Sequence, residues 1–165
     1  MGKIAGIQLP GETAFSNDTA SMMLQSIGVD KPNCFCNCAS SDKENFATLG
    51  KRILVLDGFL YNPEDFSEQY RRHTDPELIL MSIEKIGLQA TLGKINGDFA
   101  LALIDQYSGS LTLARDRFGI RPLYYSSKGP NMGFSSSIRS LLILSFVSKE
   151  INPAFLTTAA ALTYR

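Results

Sequence analysis

Between Asp98 and Ser136 the chain spells two successive hairpins. Asp98–Asp105 (DFALALID) is apolar and alternating, Tyr107-Ser108-Gly109-Ser110 supplies turn residues, and Leu111–Arg117 (LTLARDR) alternates again. Leu123–Ser126 and Met132–Ser136 repeat the pattern around Lys128-Gly129-Pro130-Asn131. Successive side chains on a strand point to opposite faces, and a short turn between two such segments makes them antiparallel neighbours. About a quarter of the chain is thereby committed to antiparallel sheet.

The rest has helical punctuation. Thr74-Asp75-Pro76-Glu77 predicts a helix start: Thr74 and Glu77 suit a capping box, and proline costs nothing in a first turn where N–H groups lack partners anyway. Leu78, Leu80, Met81, Ile83 and Ile86 then predict a buried face ending at Gly87. Other helices are expected from Ser16–Asp18 to Ile27, with Met22, Met23 and Ile27 inward, from Pro63 to about Arg72, from Ser137 to Phe146 and from Asn152 to Tyr164. Lys3–Leu9 and Arg52–Tyr61 (RILVLDGFLY) read as strands, and 33–42 as a strand followed by a loop. Helices interspersed with antiparallel strands, with no repeat or linker, give an α+β domain.

The 165 residues suffice for a real core, and 44% apolar with 19% charged residues suits a soluble globular domain. Lysine plus arginine balances aspartate plus glutamate at 16 each, which argues against nucleic acid or an anionic membrane as main partner. No apolar run is long enough to span a bilayer, and the first residues fit neither a signal peptide nor a myristoylation site, so the cytoplasm is the expected location. Cys34, Cys36 and Cys38 do not form a disulfide framework. On one strand their sulfurs could share a face. A metal site there would need a fourth ligand, and His73 is the only histidine, so reduced, partly buried thiols and no metal are expected.

Several segments resemble one family in the right order. Lys3-Ile4-Ala5-Gly6-Ile7 is similar to the opening strand of class II glutamine amidotransferases, and Leu56-Asp57-Gly58-Phe59-Leu60-Tyr61-Asn62 resembles their asparagine-glycine-glutamate … tyrosine-asparagine segment. Thr74-Asp75-Pro76-Glu77-Leu78 resembles the acidic helix start that follows, and Ile95–Asp105 the glycine-phenylalanine-alanine … aspartate strand. Leu113-Ala114-Arg115-Asp116-Arg117-Phe118-Gly119-Ile120-Arg121-Pro122-Leu123-Tyr124-Tyr125 resembles the asparagine-synthetase branch most closely. Only residues from about 30 to 50 go unmatched.

The resemblance implies an N-terminal nucleophile hydrolase fold, a four-layer αββα sandwich of two packed antiparallel sheets. In the family this domain hydrolyses glutamine, and the ammonia travels to a C-terminal domain that activates a carboxylate with ATP and magnesium. The nucleophile is a thiol directly after the initiator methionine, and here that position is Gly2, which has no side chain. The family's asparagine amide and the next glycine N–H hold the oxyanion. Here the pair is Asp57 and Gly58, and an ionised carboxylate donates nothing. The glutamate that follows is replaced by Phe59, and the arginine that grips the substrate carboxylate has no counterpart, the nearest cations being Lys31 and Arg52. Asp75 matches the aspartate that binds the substrate ammonium, although it also suits a helix start.

These departures imply a non-catalytic scaffold domain, with Asp57, Gly58 and Asp75 as a vestigial pocket. Within the family the pattern looks like members that use an amine instead of ammonia, the lasso-peptide cyclases more than the β-lactam synthetases. Arg115, Asp116, Arg117, Phe118, Arg121, Tyr124 and Tyr125 are the expected interface with the synthetase domain, because arginines and aromatics are the usual composition of an interface centre. Arg115–Arg117 could equally make ion pairs across neighbouring strands. No P-loop or serine-glycine-glycine pyrophosphate loop occurs up to Arg165, so ATP and magnesium are expected in a synthetase domain absent from this chain. A precursor peptide or a second copy are further candidate partners. The alternatives are a glutaminase domain of a glutamine-hydrolysing asparagine synthetase and an amino-acid-binding module without turnover.

Overall fold

The two hairpins legible in the sequence end up in different sheets. The computed structural model describes residues 3–8, 17–35, 38–151 and 153–162. Along them run β1 (Ile4–Gln8), α1 (Asn17–Gln25), β2 (Asn33–Phe35), β3 (Cys38–Ser40), β4 (Phe46–Leu49), β5 (Arg52–Leu60), α2 (Asp75–Ile86), α3 (Leu88–Lys94), β6 (Gly97–Asp105), β7 (Ser110–Arg115), β8 (Tyr124–Lys128), β9 (Asn131–Ser135), α4 (Ile138–Leu141) and α5 (Pro153–Leu162). One sheet has the order β2-β3-β1-β9-β8 and the other β4-β5-β6-β7. Every ladder is antiparallel.

Strand periodicity sorts the apolar residues into three layers. On β5 and β6, Leu54, Leu56, Leu101 and Leu103 face α2, where Leu78, Ile79 and Ile83 meet them. On the first sheet, Ala5, Ile7 and Ala39 face Ala20, Met23 and Leu24 of α1 and Leu141 and Leu144 in and after α4. The alternate residues Ile4, Cys38, Val55, Ala100, Ala102 and Phe134 meet between the sheets. The result is helix, sheet, sheet, helix: the expected αββα sandwich. The central strands β5 and β6 are buried on both faces, which is why RILVL and FALAL are nearly continuous apolar runs. The middle layer mixes small residues such as Ala100 and Ala102 with the large Phe134. A Cβ on Gly6 would come within 2.4 Å of the Phe134 ring, so glycine there lets that ring lie across β1.

Several expectations need correction. Pro63–Arg72 is not a helix but two short 3-10 turns, Pro63–Asp65 and Tyr70–Arg72. Asn62 pins it, since its amide donates to Asp65 Oδ2 at 2.7 Å and to the Lys94 carbonyl at 3.1 Å, and its Oδ1 accepts the Asn96 N–H at 2.9 Å. The helix foreseen over 137–146 stops at Leu141 and continues as turns that carry Leu144 and Phe146 into the core against α1. On α2, Ile79 is buried, while Met81 and Ile86 are exposed, and on α1 Met22 is exposed. The strand β4 and the helix α3 were not foreseen. Residues 33–42 form a hairpin instead of a strand and loop, so the cysteines do not share a face: Cys34 packs toward α1 and Cys38 between the sheets. Cys36 lies outside the described residues, as do Gly2, Leu9, Ser16, Asn152 and the last residues from 163. Burial pushes the Cys34 thiol above its ordinary pKa. Among the described residues no helix is long and apolar enough to cross a membrane.

Phe134 is fully buried at the contact of the two sheets. Phe134→Ala should destabilise the chain by about 3–5 kcal/mol in urea titrations, whereas Leu142→Ala, at a partly exposed position, should cost less than about 1 kcal/mol. Equal costs would contradict the face-to-face packing.

Candidate functional site

In β5 the alternation that places Val55 between the sheets also places Asp57 there, 1% exposed. A charge so placed must be answered from inside the protein. Two groups answer it. Ser136, just past β9, donates its hydroxyl to Asp57 Oδ2 at 3.2 Å, and Arg121 Nη1 lies 3.4 Å from Oδ1. Ser136 is itself fixed to β1, because its Oγ accepts the Ile4 N–H and its own N–H donates to the Ile4 carbonyl, each at 2.9 Å. One carboxylate thus ties together β5, the β7–β8 connection and the start of the first sheet.

Gly58 follows with φ +136, a backbone conformation that L side chains rarely adopt, and a Cβ there would sit 1.9 Å from the Asp98 carbonyl. Only glycine fits. It still pairs in register with Phe99, so Asp57-Gly58 lies within a continuous strand and not in a turn. Phe59 and Tyr61 then point outward, their rings edge to face with centroids 5.1 Å apart. The Arg121 guanidinium lies 5.7 Å from the centre of the Phe59 ring, and Tyr61 donates its hydroxyl to Asp98 at 2.6 Å. Tyr61, Asp98, Arg117 and Phe118 help line a cavity of about 90 Å³ beside this cluster. That is well below the roughly 300–1,000 Å³ of an ordinary small-molecule pocket. A larger cleft of about 560 Å³ has different walls, including Glu64, Phe66, Glu68, Lys85 and Lys94.

Asp75 opens α2, and its Oδ2 accepts the Leu60 N–H at 2.8 Å. The carboxylate is engaged by the end of β5. Next to it, Glu77 accepts the Thr74 N–H at 2.7 Å, as a capping box requires. Arg52, one of the two cations considered for the missing arginine, stands at the opposite end of β5, bound to Asp105 at 2.9 Å and to Glu84.

The block around Asp116 is a loop built on one acceptor. Asp116 Oδ1 accepts from the N–H groups of Phe118 and Ile120, at 3.0 and 2.9 Å, and Oδ2 from that of Arg121 at 3.0 Å. Arg115 closes the loop by donating from Nη2 to the Gly119 carbonyl at 2.6 Å. The cross-strand ion pairs considered for this block are therefore replaced by side chain–backbone bonds. Asp116 is buried and Arg121 nearly so, while Phe118 is 89% exposed and Tyr124, Tyr125 and Ile120 are also exposed. Sequence reasoning missed Ser136 and the pairing of Arg121 with Asp57. The available signal was a lone aspartate inside an apolar strand, which demands a partner without saying which. Among the described residues no group of three or more His, Cys, Asp or Glu side chains could hold a metal ion.

The two carboxyls are shifted in opposite directions. Burial raises the Asp57 pKa above its ordinary value of 3.8, against smaller opposing effects of Arg121 and Ser136. Burial also acts upward on Asp116, but the N–H groups of Arg121, Ile120, Phe118 and Gly119 together outweigh it and hold this carboxyl below 3.8.

The sequence profile of the family described as "Glutamine amidotransferase domain" matches residues 41–165. A putative glutamine-hydrolysing asparagine synthetase of Methanocaldococcus jannaschii is 32% identical over 104 residues, 61% of this chain and 20% of that protein. Asparagine synthetase 3 of Bacillus subtilis is 32% identical over 96 residues (54% and 16%), and the human asparagine synthetase 33% over 75 residues (43% and 13%). The chain thus spans about a fifth or less of the length of these relatives. Among solved structures, glutamine phosphoribosylpyrophosphate amidotransferase of B. subtilis superposes with a TM-score of 0.60 at 15% identity, over 87% of this chain and 43% of the other. That likeness supports the fold.

The opposite shifts give opposite pH dependences. Asp57 binds its proton more readily folded than unfolded, so its ionised form costs stability above 3.8 and the cost vanishes as pH falls through its raised value. Asp116 contributes stability above 3.8 that is lost as pH falls through its lowered value. In urea unfolding from pH 7 to pH 3, the unaltered chain should gain on Asp57→Asn as pH drops toward 4, by at most about 1.4 kcal/mol per pH unit. Relative to Asp116→Asn it should lose stability, and only below about 3.8. Two curves of the same sign would refute the opposed environments.

Proposed function

Because the chain belongs to the glutamine amidotransferase domain family, we propose that it is a non-catalytic member, serving as a scaffold within an asparagine-synthetase-like, ATP-dependent amide ligase. The observation that carries this reading is the state of Asp57. Where the family presents an amide to a developing oxyanion, this chain has a buried carboxylate bound by Ser136 and Arg121. An anion cannot stabilise an anion. Gly2, at the nucleophile position, brings no thiol or hydroxyl, and Asp75 is engaged by Leu60. Losses on separate elements indicate an inherited scaffold turned away from ammonia production.

A ligase that has given up ammonia must take its nitrogen from elsewhere, and the simplest source is an amine on the substrate itself. The lasso-peptide macrolactam cyclases work so, and we favour that type over the β-lactam synthetases. Activation of the carboxylate belongs to a synthetase domain outside this chain. ATP and magnesium are assigned to that domain too, because the sequence up to Arg165 contains no phosphate-loop motif. This chain supplies a docking face of Arg115, Arg117, Phe118, Tyr124 and Tyr125, with Asp116 and Arg121 turned inward to shape it. Exposed Phe155 and Leu156 on the charge-free α5 add apolar surface for the same partner. A cytoplasmic setting and an amine-bearing precursor peptide fit this reading.

The test is ammonia release from glutamine by the purified chain. No release above the enzyme-free rate is expected. Release above that rate would show a working glutaminase and end the scaffold reading, and its loss on cysteine alkylation would mark a thiol as the nucleophile.

A further inference from the structure

Phe118 is 89% exposed, yet the backbone that carries it is held at every turn by buried or paired groups. Asp116 accepts three of the loop's N–H groups, Arg115 binds the Gly119 carbonyl, and Arg121 leaves the loop inward to reach Asp57. A mobile surface loop does not need a buried counter-ion 64 residues away in sequence. An exposed aromatic on a fixed backbone is the form of an anchor that pays little ordering entropy on docking.

We propose that Asp57 is a positioning residue: through Arg121 it locks the 116–121 loop in the shape that presents Phe118 and Ile120 to the ligase portion of the parent protein. The position that elsewhere in the family faces a substrate oxygen has become the inner end of a latch. Three features support the latch over a chance contact. Asp57 is almost fully buried and Arg121 is 14% exposed, so both have left water. The Arg121 guanidinium also lies 5.7 Å from the centre of the Phe59 ring, so a second side chain of β5 meets it. Ser136 fixes the opposite side of the same carboxylate to β1, so the inner end cannot drift with the loop. The identity of the occupant rests on the scaffold reading above, since the chain spans only about a fifth of its relatives' length. The latch itself does not.

Amide hydrogen exchange resolves it, because the N–H groups of Phe118, Ile120 and Arg121 report directly on loop opening. In Asp57→Asn and in Arg121→Met these three amides should exchange about tenfold faster, and in the double variant no faster than in either single. The amides of Leu101 and Leu103 in β6 should keep their rates. Unchanged loop protection in the single variants, additive losses in the double, or losses spread equally over β6 would each overturn the latch. Should Asp57→Asn not fold, Arg121→Met alone still decides between local and no loosening, because methionine is an unbranched apolar side chain that removes the ion pair. The exchange experiment involves neither partner nor turnover, so it fails independently of the scaffold reading. Ammonia release would sink that reading and leave the latch standing.

Discussion

A carboxylate buried between two sheets is the constraint around which this domain is arranged. Asp57 is there because strand alternation puts it there: with Leu54 and Leu56 committed to α2, residues 55 and 57 must face the other sheet. Burial of a lone charge is costly enough that the group must be neutralised or answered. It is answered by a hydroxyl from one sheet and a guanidinium from the loop that joins the sheets. Those bonds fix three parts of the chain relative to one another: the opening strand, the middle of β5 and the 116–121 loop. Alanines, Gly6 and Phe134 pack in the same layer between the sheets.

The scaffold reading follows from that occupancy. A pocket that has lost only its nucleophile would keep its remaining polar groups free for substrate. In this chain each has an internal partner. Asp57 holds Arg121 and Ser136, Asp75 holds the end of β5, and Asp98 holds Tyr61. In and after the 116–121 loop, Phe118, Ile120 and Tyr125 are exposed large apolar or aromatic side chains. Under the proposed scaffold role, apolar groups facing a partner surface take the place of polar groups facing a ligand.

Much of this was legible in the sequence where local and tertiary demands agree. The two hairpins, the start of α2 at Thr74–Glu77 and the strand character of RILVLDGFLY follow from period, turn chemistry and capping, and the structure has them all. The failures have a common cause. Pro63–Arg72 and the stretch after Leu141 have helical composition, but a short helix is marginal alone. Asn62 and Lys94 pull the first onto the α3–β6 connection, and the second unwinds so that Leu144 and Phe146 reach the α1 layer. Residues 33–42 read as a strand followed by a loop because nothing local marks Cys38–Ser40 as a second strand that pairs with Asn33–Phe35. The resemblance singled out Asp57, Gly58 and Asp75 as a candidate pocket, but not the groups bound to Asp57, because Arg121 and Ser136 lie 64 and 79 residues from it.

The central claim is that the pocket has been turned to structure and is not an intact binding site without its nucleophile. Calorimetric titration of the chain with glutamine tests this most directly, because binding needs the pocket and not the thiol. The account predicts no saturable heat at millimolar glutamine, where even a weak site of about 1 mM dissociation constant would register. Saturable binding that glutamate competes away would contradict it, since the carboxylates and the arginine described here would then have to be free to receive a ligand.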